Sequence, residues 1–355
     1  MTSDSPRMSD LKKNRISYKP WGMHDDKSVF LFRLESASGA FVEITNYGAT
    51  VVSIVVPDRN GKLENAVIGF PSLEGYVDDR CYIGSTIGRY ANRIGGAAFT
   101  LDGAVYDLDK NDNQNNNHGG LSGFHAKVFD FHVGTNSLSL SLTSADGEGG
   151  FPGRIDFRVT YSWSDDHELG IRFNAASDKK TVLNFTNHAY FNLAPGHGDI
   201  LEHELTLHAD KILETDRYYI PTGVIAHAAG EDFHQTRIRN RVKFSGPSQT
   251  GVNRYFLLKN DGQSGMRRAG LLKENSSGRS LEIFTTYPGV QLYTGDYLDS
   301  KHLSSRFKQI HPFDGLCLEC QHYPDAPNHD NFPSTVLNPG QAYDERIVYK
   351  FGITA

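Results

Sequence analysis

Apolar and polar residues alternate with a period of two through much of the chain. Ile155, Phe157, Val159, Tyr161 and Trp163 alternate with polar residues, the pattern of a strand with one buried face. Ser164-Asp165-Asp166 then leads into Leu169, Ile171 and Phe173, which predicts a hairpin. Leu138, Leu140 and Leu142 alternate with serines, and Leu205 and Leu207 with Glu204 and Thr206. Tyr343, Ile347, Tyr349 and Phe351 predict a last strand, although Glu345 interrupts their face. Turn signals fall at Asp58-Arg59-Asn60-Gly61, Asp102-Gly103, Asp146-Gly147 and Asn338-Pro339-Gly340. There is no long amphipathic helical pattern. Leu73 to Tyr76 and Ser300 to Phe307 predict short helical turns only. Repeated strands without intervening helices predict an all-β fold, a large antiparallel β-sandwich or a barrel and not a βαβ arrangement. No glycine-rich dinucleotide or phosphate loop is present. Without a linker or a break in composition, residues 21–355 are expected to form one domain, with residues 1–20 a loosely ordered extension.

Composition narrows the function classes. The 355 residues carry 36 Lys+Arg and 42 Asp+Glu, a net charge of −6, with 38% hydrophobic and 22% charged residues. This is a soluble globular composition. It lacks the basic excess that replaces counterions on nucleic acid, so no nucleic-acid partner is expected. No apolar run follows Lys12, Lys13 and Arg15, and Val51 to Val56 is too short to span a bilayer. A cytoplasmic protein without a membrane partner is the expectation, and the sequons at Asn184 and Asn275 then read as chance matches. Three cysteines exclude a disulfide scaffold. Cys317-Leu318-Glu319-Cys320 has C-x-x-C spacing but reads as strand, where residues three apart face opposite ways. It also lacks the partner motif of a zinc site.

Four segments carry polar residues that a strand protein does not need for folding. Arg89-Tyr90-Ala91-Asn92-Arg93 offers two arginines four apart beside an Asn, a possible fork of donors for hydroxyl groups. Asn115-Asn116-Asn117-His118-Gly119-Gly120 puts an imidazole on a turn that another group can approach closely. Leu183 to Leu193 reads as a buried strand, yet it holds Asn184, Asn187, His188 and Asn192, which must be bonded or functional. Glu319 stands in an apolar strand, where a carboxylate is costly unless it is paired or functional. A buried Glu near a His is material for acid/base catalysis, and a structural ion pair is the alternative. With Gln291 in Tyr287 to Tyr293, these residue types suit a many-hydroxyl ligand.

These motifs resemble the aldose 1-epimerase, or galactose mutarotase, family. The matches are Ile87 to Ile94, His118-Gly119-Gly120, Asp146 to Gly153, Thr186 to Leu193, Ile220 to Gly223, Pro288 to Gly295 and Cys317 to Ala326. The resemblance runs from about Gly39 to Phe351 and implies a large antiparallel β-sandwich with the sugar in a shallow cleft. It implies Glu319 as the base for the sugar's C1 hydroxyl, His188 as the acid for the ring oxygen, and His118 as a hydrogen bonder near that oxygen. Asn92, Arg93 and Gln291 are implied sugar binders, and Tyr190 and Arg89 are further candidates within the matching segments. The family's Gly-x-Asp-His-x-Phe segment here reads Gly251-Val252-Asn253-Arg254-Tyr255-Phe256, so an amide stands where a carboxylate is usual.

The expected reaction is anomer interconversion of a free aldohexose, galactose or glucose, with no cofactor and no metal, by a monomer or homodimer. Three other readings remain at this stage. A hexose-phosphate anomerase would need cations such as Arg254 or Arg89. A sugar-binding module would not need Glu319. A metal hydrolase built on His118, His188 and Glu319 lacks an H-x-x-x-H or H-x-H frame.

Overall fold

The alternating segments become neighbouring strands of one antiparallel sheet. Ile155–Trp163 pairs with Ser137–Ser144 on one side and with Glu168–Ser177 on the other. Its inward residues Ile155, Val159 and Tyr161 are wholly buried. The full sheet has nine strands, in the order 130–133, 137–144, 155–163, 168–177, 343–353, 279–285, 267–273, 204–207 and 236–237. The computed structural model describes residues 15–354 apart from 195, 197, 246–247, 260–264 and 306–307.

Two further sheets pack against the nine-stranded one. The first has five strands and runs in chain order from Arg15–His24 to Leu63–Asn65. The second has six, in the order 190–191, 316–321, 289–293, 253–258, 209–215 and 221–227. One core cluster draws on all three, with Phe32 and Val42 from the five-stranded sheet, Val159 and Ile171 from the nine, and Val290 and Leu318 from the six. Polar tips stitch the layers. Tyr161 Oη donates to the Ala49 carbonyl at 2.6 Å, and Tyr349 Oη to the Leu318 carbonyl at 3.2 Å. Both the antiparallel pairing and the sandwich agree with the periodicity.

Three expectations need correction. The strand Arg15–His24 pairs with Lys27–Glu35, so residues 15–20 are not a loose extension. Tyr18 holds them there by packing on Phe30, Phe32 and Phe131, at ring separations of 5.5–5.8 Å. The rest of that extension lies outside the described residues. Leu183 to Leu193 is not one strand. It breaks into the two-residue pairings Thr186–Asn187 and Tyr190–Phe191. The asparagines cause this by bonding backbone groups themselves. Asn184 Nδ2 reaches the Ala91 and His322 carbonyls, Asn187 Nδ2 the Gly84 carbonyl, and Asn192 Nδ2 the Asp314 carbonyl. Finally, 300–305 forms bends and no helix, because its serines bond locally. Ser304 Oγ donates to the Lys308 carbonyl, and Ser300 Oγ accepts from His302 N. Residues 306–307 of that segment are not described. The short helix appears at Leu73–Val77 as expected. Among the described residues no helix is long and apolar enough to cross a membrane.

Phe157 sits between Phe185 and Phe124, at ring distances of 4.5 and 5.0 Å. Phe157→Ala should therefore lower the unfolding free energy by about 3–5 kcal/mol, the usual cost of emptying such a site. Urea denaturation measures it, and a loss under about 1 kcal/mol would mean that the core collapses around the gap.

Candidate active site

Glu319 lies within Leu316–Gln321, a strand whose six residues are all buried. Alternation sends Leu316, Leu318 and Cys320 into the main core and Cys317 and Glu319 to the opposite face. The C-x-x-C cysteines are thus free and face apart. The next strand places Gln291 directly across from Glu319. The strand after that begins at Asn253, whose Oδ1 accepts from Gln291 Nε2 at 2.6 Å. Sheet register therefore lays a carboxyl and two amides side by side.

The broken segment supplies His188. Asn187 pins the bend, with Oδ1 accepting from Ala189 N and Nδ2 donating to the Gly84 carbonyl. The His188 ring then faces Glu319, with Nε2 3.6 Å from Oε1. Its Nδ1 lies 3.4 Å from Cys317 Sγ. His118 comes from the polar loop, in the left-handed region at φ 52°. Gly119 follows at φ 83°, and a Cβ there would sit 2.2 Å from the Gly88 carbonyl oxygen, so only glycine fits. The ring of His118 stands 5.1 Å from that of His188.

Asn92, Arg93, His118, His188, Tyr190, Asn253, Gln291 and Glu319 all line one cleft of about 240 Å³. Arg93 Nε is held at 2.7 Å by Asp112, and its guanidinium lies over the Tyr219 ring. Tyr190 contributes its ring, since its hydroxyl donates to the Cys81 carbonyl at 3.0 Å.

Arg89 is not part of this cleft. It is 3% exposed, and its guanidinium donates to Ser144 Oγ and to the carbonyls of Ser144, Ala145, Phe151, Pro152 and Gly153. The two arginines diverge because the segment is a loop, in which a spacing of four does not align side chains as it does on a helix. Arg254 is taken up by Glu231 at 3.0 Å. Neither cation suggested for a sugar phosphate is therefore free for one.

Several cleft residues escaped the sequence reading. Tyr82 packs its ring 4.7 Å from that of His118 and 5.9 Å from that of His188. Tyr219 and Tyr297 also line the cleft, with their hydroxyls 3.4 Å apart. Tyr219 adjoins the matched Ile220-Pro221-Thr222-Gly223 motif, which was the available signal. Tyr82 and Asp112 stand in no such motif.

Burial governs the ionisation of the site. It pushes the Glu319 carboxyl up to about 8, with Arg93 pulling weakly the other way. It pushes His188 down to about 4 and His118 well below the usual imidazole range. Glu319 Oε2 has no hydrogen-bond partner among protein atoms. At neutral pH Glu319 and His188 together hold one proton, which rests on the carboxyl. The site thus pairs an acid with a base, ringed by donors and acceptors suited to hydroxyl groups.

The ligand atoms of His118, His188 and Glu319 lie within 4.8 Å of one another, close enough to raise a metal site. The His118 bonding opposes one. Its Nδ1 accepts from Asn92 N–H at 3.2 Å, so the neutral ring carries its proton on Nε2. Neither nitrogen then offers a lone pair, and a zinc site would be left with only two of the three protein ligands it needs.

Comparison with known proteins agrees with this architecture. The family model "Aldose 1-epimerase" matches residues 31–350. The galactose mutarotase of Rattus norvegicus is 39% identical over 318 residues, covering 88% of this chain and 91% of that protein. The aldose 1-epimerase of Escherichia coli (strain K12) is 32% identical over 335 residues, covering 92% and 96%. A solved GalM/aldose epimerase homologue from C. elegans matches with a TM-score of 0.86 at 30% identity, covering 92% of this chain and 99% of that one.

The two arginines should respond differently to substitution. Arg89→Gln leaves at least two buried carbonyls without a donor and should lower stability by about 2–6 kcal/mol, at ~1–3 kcal/mol for each unsatisfied group. Thermal unfolding would show it, whereas Arg93→Gln should shift the melting temperature far less. Equal losses would overturn the division between a loop clamp and a cleft residue.

Proposed function

The chain belongs to the aldose 1-epimerase family, and we propose that it interconverts the α and β anomers of a free aldohexose, galactose or glucose. Glu319 is the base and His188 the acid in this reading. The observation that carries it is the pair itself: a buried carboxyl and a buried imidazole 3.6 Å apart at the floor of a polar cleft.

The chemistry follows from the geometry. The proton that rests on Glu319 first passes to His188 Nε2; the Glu319 carboxylate then takes the proton of the C1 hydroxyl while the His188 imidazolium delivers its own to the ring oxygen. The bond between C1 and the ring oxygen breaks, and an open-chain aldehyde forms. Rotation about C1–C2 exposes the other face, and the reverse transfers close the ring. Each transfer is typically worth about 10²–10⁴-fold. His118, protonated on Nε2, donates beside the ring oxygen. Asn92, Arg93, Gln291 and Asn253 bind the remaining hydroxyls, and Tyr190 offers a ring face to the sugar. No cofactor is called for, since the proton lost at one oxygen is regained at the other.

Neither cation named for a phosphorylated sugar serves one, since Arg89 and Arg254 are both engaged elsewhere, and the amides and hydroxyls of the cleft suit a neutral sugar. A pure binding module is disfavoured because binding hydroxyls does not call for a buried carboxyl with an unpartnered oxygen. The protein is proposed to act as a monomer or homodimer, since one chain lines the whole cleft. Its domain is proposed to run from the Arg15 strand through residue 354 around the shared core, in place of the boundary at residue 21.

Polarimetry on fresh α-galactose and α-glucose tests the reading. The protein should speed equilibration of at least one, and Glu319→Gln should reduce the rate by about 10²–10⁴-fold. If neither sugar equilibrates faster than in buffer, the proposal fails.

The pH profile supplies a second test. The pair works while it holds one proton. Below about 4 His188 also gains one, so no base remains; above about 8 Glu319 has lost its own, so no acid remains. The rate should be bell-shaped with limbs near those values. A rate still rising above pH 9 would contradict the assignment.

A further inference from the structure

One strand touches both nitrogens of the His188 ring. Glu319 Oε1 lies 3.6 Å from Nε2, and Cys317 Sγ lies 3.4 Å from Nδ1. Residues two apart on a strand share a face, so the backbone that delivers the carboxyl also delivers the thiol. Both cysteine and histidine are buried. We propose that Cys317 is a positioning residue: its sulfur accepts the Nδ1 proton of His188, which fixes the ring's orientation and leaves Nε2 as the one site that exchanges a proton with Glu319 and the sugar. The inference rests on the acid role assigned to His188.

The argument is one of proton placement. A neutral imidazole has one N–H and one lone pair. Nε2 faces the carboxyl, which holds the pair's proton at rest and needs an acceptor there. Nδ1 must then carry the hydrogen, and a buried N–H without a partner is costly. Among the described residues, no side chain other than Cys317 is hydrogen-bonded to the ring, and its neighbours bond elsewhere. Tyr190 Oη donates to the Cys81 carbonyl, Tyr82 Oη accepts from Asn111, and His118 Nδ1 accepts from Asn92 N. The ring's own backbone carbonyl, which also accepts from Gly84 N, is a second acceptor that favours the protonated ring. Burial keeps Cys317 a thiol rather than a thiolate, so its sulfur holds the N–H without becoming a competing base. The same tautomer suits turnover. His188 carries both hydrogens before it protonates the ring oxygen and keeps the Nδ1 hydrogen afterwards, so only the Nε2 proton moves.

Three measurements test this. The ¹⁵N imidazole spectrum of the wild-type protein at neutral pH should show His188 protonated at Nδ1, and protonation at Nε2 would overturn the proposal whatever the variants do. Cys317→Ala should lower kcat about tenfold, the loss of one hydrogen bond of ordinary strength, with KM within about twofold. The acid limb of its pH profile should also move down, because the imidazolium loses a supporting acceptor. Glu319, His118, Tyr82 and Tyr190 face the ring and His125 repels its charge in both proteins, so all of them cancel in that comparison. Cys317→Ser replaces sulfur by a hydroxyl that still accepts and should recover kcat to within about threefold of wild type. A folded Cys317→Ala protein with wild-type kcat and acid limb would show that the backbone carbonyl holds the ring alone. A failure of the acid role itself would look different, since His188→Asn would then leave the rate intact.

Discussion

The structure turns on a carboxyl group that cannot easily ionise. Glu319 sits 2% exposed in the middle of a strand that is buried along its whole length. An isolated carboxylate in such a place would cost many kcal/mol, so a buried group changes its protonation instead. Much of the surrounding architecture follows from that constraint. His188 stands close enough to share the proton, and Arg93 faces the pair as a counter-charge. Arg93 is itself held by Asp112 and lies over Tyr219. The amides of Gln291 and Asn253 extend the polar floor without adding charge.

Placement of these groups relies on two kinds of backbone. Regular pairing carries Glu319, Gln291 and Asn253, because adjacent strands run about 4.8 Å apart and hold fixed register. Irregular backbone carries the imidazoles. His118 needs a left-handed turn against Gly119, and His188 needs a bend pinned by Asn187. The rigid sheet thus holds the carboxyl and the cleft floor, while a side-chain amide holds the imidazole. Residues packed on the nine-stranded sheet then keep both in place.

How much could be read beforehand follows from the same distinction. Period-two alternation located Ile155–Trp163 and its hairpin partner because each strand has one buried face. Glu319 was legible because it broke an apolar strand, and His188 because asparagines crowded around it. Leu183 to Leu193 misled, since its hydrophobicity suggested a ladder that its side chains had replaced. Arg89 misled because the residue type suits both a ligand and a cluster of carbonyls, and only three dimensions show which is nearer. Tyr82 carried no signal at all. It acts through ring packing, which depends on where two distant loops meet.

The loop clamp at Arg89 has a bearing on how such a chain tolerates mutation. One guanidinium gathers acceptors spread from residue 144 to residue 153, so many of the loop's attachments share a single codon. Asn184, Asn187 and Asn192 concentrate attachments in the same way. A ladder spreads its hydrogen bonds over main chain that every residue type supplies, so substitution leaves most of it standing. Here the connections belong to side chains, and one nucleotide change can remove several together. Genetic fragility in this protein is therefore expected to extend well beyond the residues that line the cleft, into polar positions whose task is to hold the backbone where a regular strand would have held itself.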